Sequence, residues 1–247
     1  MSVDKQRLRR GLERRLRWQH EAHDPVREPR NLLPELGALR RFQHQRLALG
    51  FRDLLADPRM RPAAEFFLSD LYADRDFSAR DRDVARIAPL LSRLLPLSLL
   101  EALAQAIELA TLSHAFDLKM AQALHDDGVA PDALDAASYA RAYRAAGCPR
   151  LRNHQIDLVL EVGHTLDRAV HTMGVARLLR MSRMPARAAG VMELQAFLER
   201  GFEAFRQLDG AGEFLRRIET GERAVSRRLF AGTPDPFDLA GVPGAIN

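Results

Sequence analysis

From about residue 37 to residue 230, apolar side chains recur at three- and four-residue intervals, and no stretch alternates residue by residue as a half-buried strand would. That rhythm predicts helices throughout. Residues 4–21 form a basic helix with a narrow stripe of Leu8, Leu12 and Leu16. Three prolines in 24–37 make the next stretch a linker, since each removes a helical donor. Periodicity returns in Leu39, Phe42, Leu47, Leu49 and Phe51 and stops at Asp57-Pro58. Pro62 sits at the first turn of a helix carrying Phe66, Phe67, Leu71 and Tyr72, and Ser78 caps another through Val84, Ile87 and Leu91.

The spacing Ser98 to Glu101 is a capping box that launches the longest helix, 98–126, ended by Gly128. Pro131 starts a helix that runs to Gly147. A cleanly amphipathic helix spans 153–173, and a shorter arginine-rich one spans 175–187. The clearest pattern is Val191, Leu194, Phe197, Leu198, Phe202, Phe205 and Leu208. After Asp209-Gly210 a last helix carries Phe214, Leu215, Ile218, Val225 and Leu229. The fold class expected is all-α: one bundle-like globular domain over 31–230, a basic helix and linker over 1–30, and an irregular tail over 231–247. Helix should exceed roughly 60% of residues, well above the average for soluble proteins. Three leucines bury too little area to offset the ordering of so many arginines, so residues 1–30 are expected to add little stability.

With 247 residues and 47% apolar content, the chain can build a real core. No run of 18 apolar residues exists, which excludes a conventional spanning helix, and the N-terminus lacks the apolar centre of a signal peptide. A single cysteine, Cys148 in a Gly-Cys-Pro turn, excludes an intramolecular disulfide and a multi-cysteine metal cage. These features point to a cytoplasmic location. Lys5 and Lys119 are the only lysines, and arginine, alanine and leucine abound, as in a GC-rich bacterium. A net charge of +4 is small for this length, so the placement of charge matters more than its sum.

Two segments, RPAAEFFLSDLYADRDFSARDRD (61–83) and LQAFLERGFEAFRQLDGAGEFL (194–215), resemble parts of a bacterial family of all-helical proteins. The resemblance implies a shared fold. It rests on core-type residues and carries no activity and no site.

His114-Ala-Phe-Asp117 and His164-Thr-Leu-Asp167 repeat one spacing on two helices, and positions i and i+3 share a helical face. His125, His171, Glu108, Asp157 and Glu161 lie on the same two helices. Imidazoles and carboxylates projected inward by facing helices suit non-haem iron or manganese, and His114, Asp117, Glu161, His164 and His171 are the candidate ligands. The pattern resembles di-iron oxygenases of the ferritin-like and haem-oxygenase-like groups. It departs from the first in having one Glu-x-x-His helix, Glu161 to His164, and from the second in placing the aspartate three residues after the histidine.

Helical projection puts His114 and Asp117 among Leu103, Ile107, Ala110, Leu118 and Ala121, hence inside, and puts Asp157, Glu161, His164, Arg168 and His171 on a polar side. A hydrogen-bonded structural pair, a small-ligand pocket and a metal site all remain open for His114 and Asp117. Imidazole titrates near neutrality, so acid–base work is conceivable there. The sequence has no P-loop, Rossmann glycine pattern or serine elbow.

The cationic elements are the N-terminal helix, with Arg9, Arg10 and Arg14, and the row Arg177, Arg180, Arg183 and Arg187 in the acid-free stretch 168–190. Arginine forks pair with carboxylates and phosphates, so the expected partners are an anionic protein or an acidic lipid surface. Aromatics are only 6% and no reading helix is recognisable, which argues against sequence-specific nucleic-acid binding. The functional expectation is a non-catalytic helical protein, without cofactor, that binds an anionic partner through these arginines. The alternative is a helical-bundle iron or manganese oxidoreductase, or a small-ligand-binding protein, centred on His114 and Asp117. Homo-oligomerisation is left open.

Overall fold

The computed structural model of the chain describes residues 3–71, 97–181, 183–188 and 192–239, and no strand occurs among them; the structure is 79% helical. In chain order the helices are α1 (Val3–His23), α2 (Pro34–Gly50), α3 (Arg52–Ala56), α4 (Arg61–Phe66), α5 (Leu97–Asp126), α6 (Ala136–Ala146), α7 (Pro149–Val170), α8 (Val175–Met181), α9 (Arg183–Ala188), α10 (Met192–Arg206) and α11 (Gly212–Ala231). A 3-10 turn, Pro29–Leu32, precedes α2, and a π-helical turn, Phe67–Leu71, continues α4. The helix expected from Ser78 to Leu91, together with Tyr72, lies outside the described residues.

Local chemistry accounts for most boundaries. Pro34, Pro62 and Pro149 occupy first turns, where a missing amide costs nothing. Gly128 takes φ 66°, a left-handed conformation that ends α5 without a Cβ clash. Two starts differ from the sequence reading. Pro131 lies in a turn, and α6 begins at Ala136, where Asp135 accepts from the Ser138 amide and the Ser138 hydroxyl accepts in return from the Asp135 amide. That reciprocal pair satisfies two orphan donors, which a proline cannot do. α7 begins at Pro149, four residues before the expected 153, with the proline in its first turn.

Among the described residues two large apolar clusters fill most of the interior, with a smaller one at Leu36, Leu118 and Ala121. Phe51, Leu54, Phe67, Phe205, Phe214 and Leu215 gather the ends of α2, α4, α10 and α11. Leu39, Phe116, Met120, Leu124, Tyr139 and Leu229 gather α2, α5, α6 and the far half of α11. α7 packs on α5, α10 and α11, and at Gly163 a Cβ would stand only 2.4 Å from Leu215 Cδ2, so the missing side chain sets how closely α7 meets α11. Beyond α11 the chain returns to the core, where Leu239 is buried and Phe237 packs on Tyr139 and Phe42.

One further expectation changes. Leu49 is exposed: it lies two residues, about 200° of helical turn, from buried Leu47 and faces outward. The sequence left open whether the N-terminal helix docks, and the structure packs it on the domain. α1 lies along α5, buries Gln19, and places Arg15 against Glu108 at 2.7 Å. Polar groups near its C-terminus, at Gln19, Ala22 and His23, meet specific partners in α5.

Candidate functional site

The last carbonyls of a helix have no partner within it. α1 ends at His23, and the Ala22 carbonyl accepts from His114 Nε2 of α5 at 3.1 Å and from Asn31 Nδ2 at 2.9 Å. On the other side of the same ring, Arg40 Nη2 of α2 donates to His114 Nδ1 at 3.1 Å. A carbonyl can only accept and a guanidinium can only donate, so the proton of His114 sits on Nε2 and the ring is neutral. His114 is 4% exposed, and burial, together with the neighbouring His23, pushes its pKa down to about 4. The His23 ring stacks on it, centroids 3.8 Å apart and planes 12° from parallel, while His23 Nδ1 donates to the Gln19 carbonyl at 2.8 Å. One imidazole thus joins three helices.

Asp117, one turn further along α5, accepts from Gln43 Nε2 at 3.0 Å and faces Arg40 Nε at 3.8 Å. Burial raises its pKa above the ordinary carboxylate range, while Arg40 and Gln43 pull the other way. His114 and Asp117 therefore share a partner rather than a bond: Arg40 stands between them. Arg152 of α7 is buried between the rings of Phe116 and Tyr143, its guanidinium carbon 3.7 and 4.3 Å from their centroids. Its Nη1 donates to Gln155 at 3.2 Å, and burial lowers its pKa. Arg46 makes a forked pair with Glu222 at 3.0 and 3.2 Å across α2 and α11.

Arg40, Gln43, Arg46, Arg152 and His23 were not singled out by the sequence reading. The available signal was the three-residue spacing of Arg40, Gln43 and Arg46 beside Leu36, Leu39 and Leu47, which puts a polar row next to a core row.

The remaining metal candidates lie elsewhere. Glu161 is exposed and accepts from Gln105 at 2.7 Å; His164 is exposed; His171 is exposed and donates to the Asp167 carbonyl at 2.8 Å. Asp167 accepts from the Ala211 amide at 3.1 Å, which serves the start of α11 rather than His164. Among the described residues no three His, Cys, Asp or Glu side chains converge as a metal site would require. Both nitrogens of His114 are engaged by protein, so it offers no lone pair to a metal. A cavity of about 390 Å³ between α2 and α11 is floored by Arg46 and Glu222 and walled by Phe42, Phe51 and Phe237, and neither His114 nor Asp117 lines it. The junction's chemistry is that of a clamp between helices.

Ala22, Arg40, His114 and Asp117 of the clamp and helices α2 to α11 fall within residues 22–236, which match the family model described as a domain of unknown function, DUF8198. The chain belongs to the DUF8198 family. No curated protein and no solved structure matches it. The DUF8198 match begins at Ala22, the residue whose carbonyl His114 holds, so the strongly basic part of α1 precedes it while the arginine row of α8 and α9 lies within it.

That row is a surface feature of the DUF8198 domain. Arg177, Arg180 and Arg187 are exposed and make no ion pair among the described residues; Arg183 forks onto Glu199 of α10 at 2.7 and 2.9 Å. In α1, Arg10 and Arg14 are exposed, and the side chain of Arg9 lies outside what the structure describes. The sequence RLLRMSRM places an apolar residue directly after each arginine: Leu178, Met181 and Met184, of which Met181 is 63% and Met184 75% exposed. α8 and α9 are nonetheless anchored. Gln195 Nε2 of α10 donates to the Leu179 carbonyl at 2.8 Å, and the Arg183–Glu199 fork holds the second helix.

Proposed function

We propose that this DUF8198 protein is a non-catalytic binding protein of the bacterial cytoplasm that holds an anionic partner against the arginine row of α8 and α9. One observation carries the reading: three exposed arginines that meet no counter-charge among the described residues stand in a 25-residue stretch, 168–192, that contains no acid. Elsewhere the chain pairs its arginines heavily, as at Arg46–Glu222, Arg206–Glu203, Arg216–Glu213 and Arg223–Asp157. Cations left unpaired on anchored helices are available to carboxylates or phosphates and lose no internal contact on binding. The interior polar groups support the non-catalytic half of the reading, because His114 and Asp117 are committed to Arg40, Gln43 and Ala22.

The test is fluorescence anisotropy with a labelled poly-glutamate peptide. The wild-type chain is expected to bind saturably and less tightly as salt rises, and R177E/R180E/R187E to bind at least about tenfold more weakly. Reversing two exposed arginines outside the row, R150E/R227E, changes net charge by four rather than six and should leave binding nearly intact. Equal losses from the two variants would reduce the effect to net charge and refute the proposed site.

A further inference from the structure

We infer that the anionic partner is a bilayer surface rich in acidic lipid, on which α8 and α9 lie flat with Leu178, Met181 and Met184 entering the acyl boundary. The inference rests on the arginine-row reading above and adds to it the role of the apolar row. Arg177-Leu178, Arg180-Met181 and Arg183-Met184 repeat at three residues, so each of the two short helices exposes an apolar side chain next to an arginine, Arg183 being held by Glu199 and Arg177 and Arg180 exposed. Such pairing suits an interface, where guanidinium forks meet lipid phosphates while neighbouring apolar side chains reach the hydrocarbon edge.

The exposures decide between a lipid surface and a peptide. A peptide-binding face buries its partner's anchors in a groove, and residues lining a groove are partly covered. Here the methionines protrude: Met184 is 75% and Met181 63% exposed, and Met173, in the turn between α7 and α8, is 97% exposed, with Leu178 at 37% bordering them. Protruding, unbranched thioethers have no pocket to offer a peptide but can enter a fluid layer. No acid between Arg168 and Met192 opposes an anionic surface. Among the described residues no helix is long and apolar enough to cross a membrane, so any bilayer contact of these helices is peripheral. The Gln195–Leu179 and Arg183–Glu199 contacts hold the two helices in place beforehand, which reduces the ordering cost of docking.

Vesicle co-sedimentation of the full chain tests the inference, with vesicles of phosphatidylserine and phosphatidylcholine set against phosphatidylcholine alone. Binding is expected only to the first. A cation near an anionic surface is worth roughly a fivefold change in partitioning, so R177Q/R180Q/R187Q should weaken binding roughly a hundredfold. L178S/M181S/M184S keeps every arginine and should weaken binding by at least about tenfold, with unchanged circular dichroism showing the fold intact. Serine-variant binding equal to wild type would mean adsorption by charge alone and would overturn the inference. Poly-glutamate binding without vesicle binding would also overturn it while leaving the anionic-partner reading standing, and loss of both would remove the two together.

Discussion

Replacing His114 by glutamine should flatten the acid side of the stability curve. In the folded chain His114 is neutral because Ala22 and Arg40 take complementary roles at its two nitrogens, and its pKa lies at about 4 against an ordinary 6.5. The unfolded chain therefore takes up the proton first. The folded-state advantage is complete above 6.5 and is lost as pH falls toward 4. A gap of about 2.5 pH units at 1.36 kcal/mol each amounts to about 3 kcal/mol at full loss, of which about 2 kcal/mol is gone by pH 5. Glutamine keeps an amide donor for Ala22 but does not titrate. Its own packing cost is common to every pH, so the difference between the two proteins isolates the ring. Urea unfolding at pH 7.5, 6 and 5 should show the wild type losing about 2 kcal/mol more than H114Q over this range. Profiles that stay parallel within about 0.5 kcal/mol would refute the neutral-ring clamp.

Three further outcomes follow from the same geometry. Asp117→Ala strips Gln43 of its acceptor and Arg40 of its nearest carboxylate and should cost about 1–3 kcal/mol in urea unfolding; a neutral result would show the carboxylate to be dispensable. Since burial raises Asp117, acid favours its folded form, so this variant should also lose stability with acid more steeply than wild type. Removing residues 1–23 takes away the His114 acceptor and uncovers Thr111 and should lower the melting midpoint by several degrees, contrary to the expectation from the leucine stripe; an unchanged midpoint would restore that expectation. Gly163→Ala places a Cβ 2.4 Å from the buried Leu215 and should cost about 1–3 kcal/mol in thermal unfolding, whereas free tolerance would mean that α7 and α11 stand further apart.

Helix was legible because it is local. The three- and four-residue rhythm, the opening prolines and the stop at Gly128 act within one turn of chain, and the all-α class followed from them. The stop at Gly128 held because one residue's left-handed backbone decides it. At α6 two residues decide together: Asp135 and Ser138 cap reciprocally, and Pro131, the more conspicuous signal, lies outside the helix.

Partners at long range were not legible. Projection puts His114 and Asp117 inside, but nothing in His-x-x-Asp says that Arg40, 74 residues away from His114, lies between them, nor that a carbonyl 92 residues away takes the ring proton. The same holds for Arg152, whose burial depends on Phe116 and Tyr143 arriving from two other helices. An arginine's place is set by what surrounds it: Arg46 is matched by Glu222 and Arg183 by Glu199, while Arg177, Arg180 and Arg187 meet no acid among the described residues. Backbone periodicity is written residue by residue, and the sequence determined it alone. Compensation of a buried charge or an orphan carbonyl needs groups from separate helices within about 3 Å, and only tertiary packing decides which ones meet.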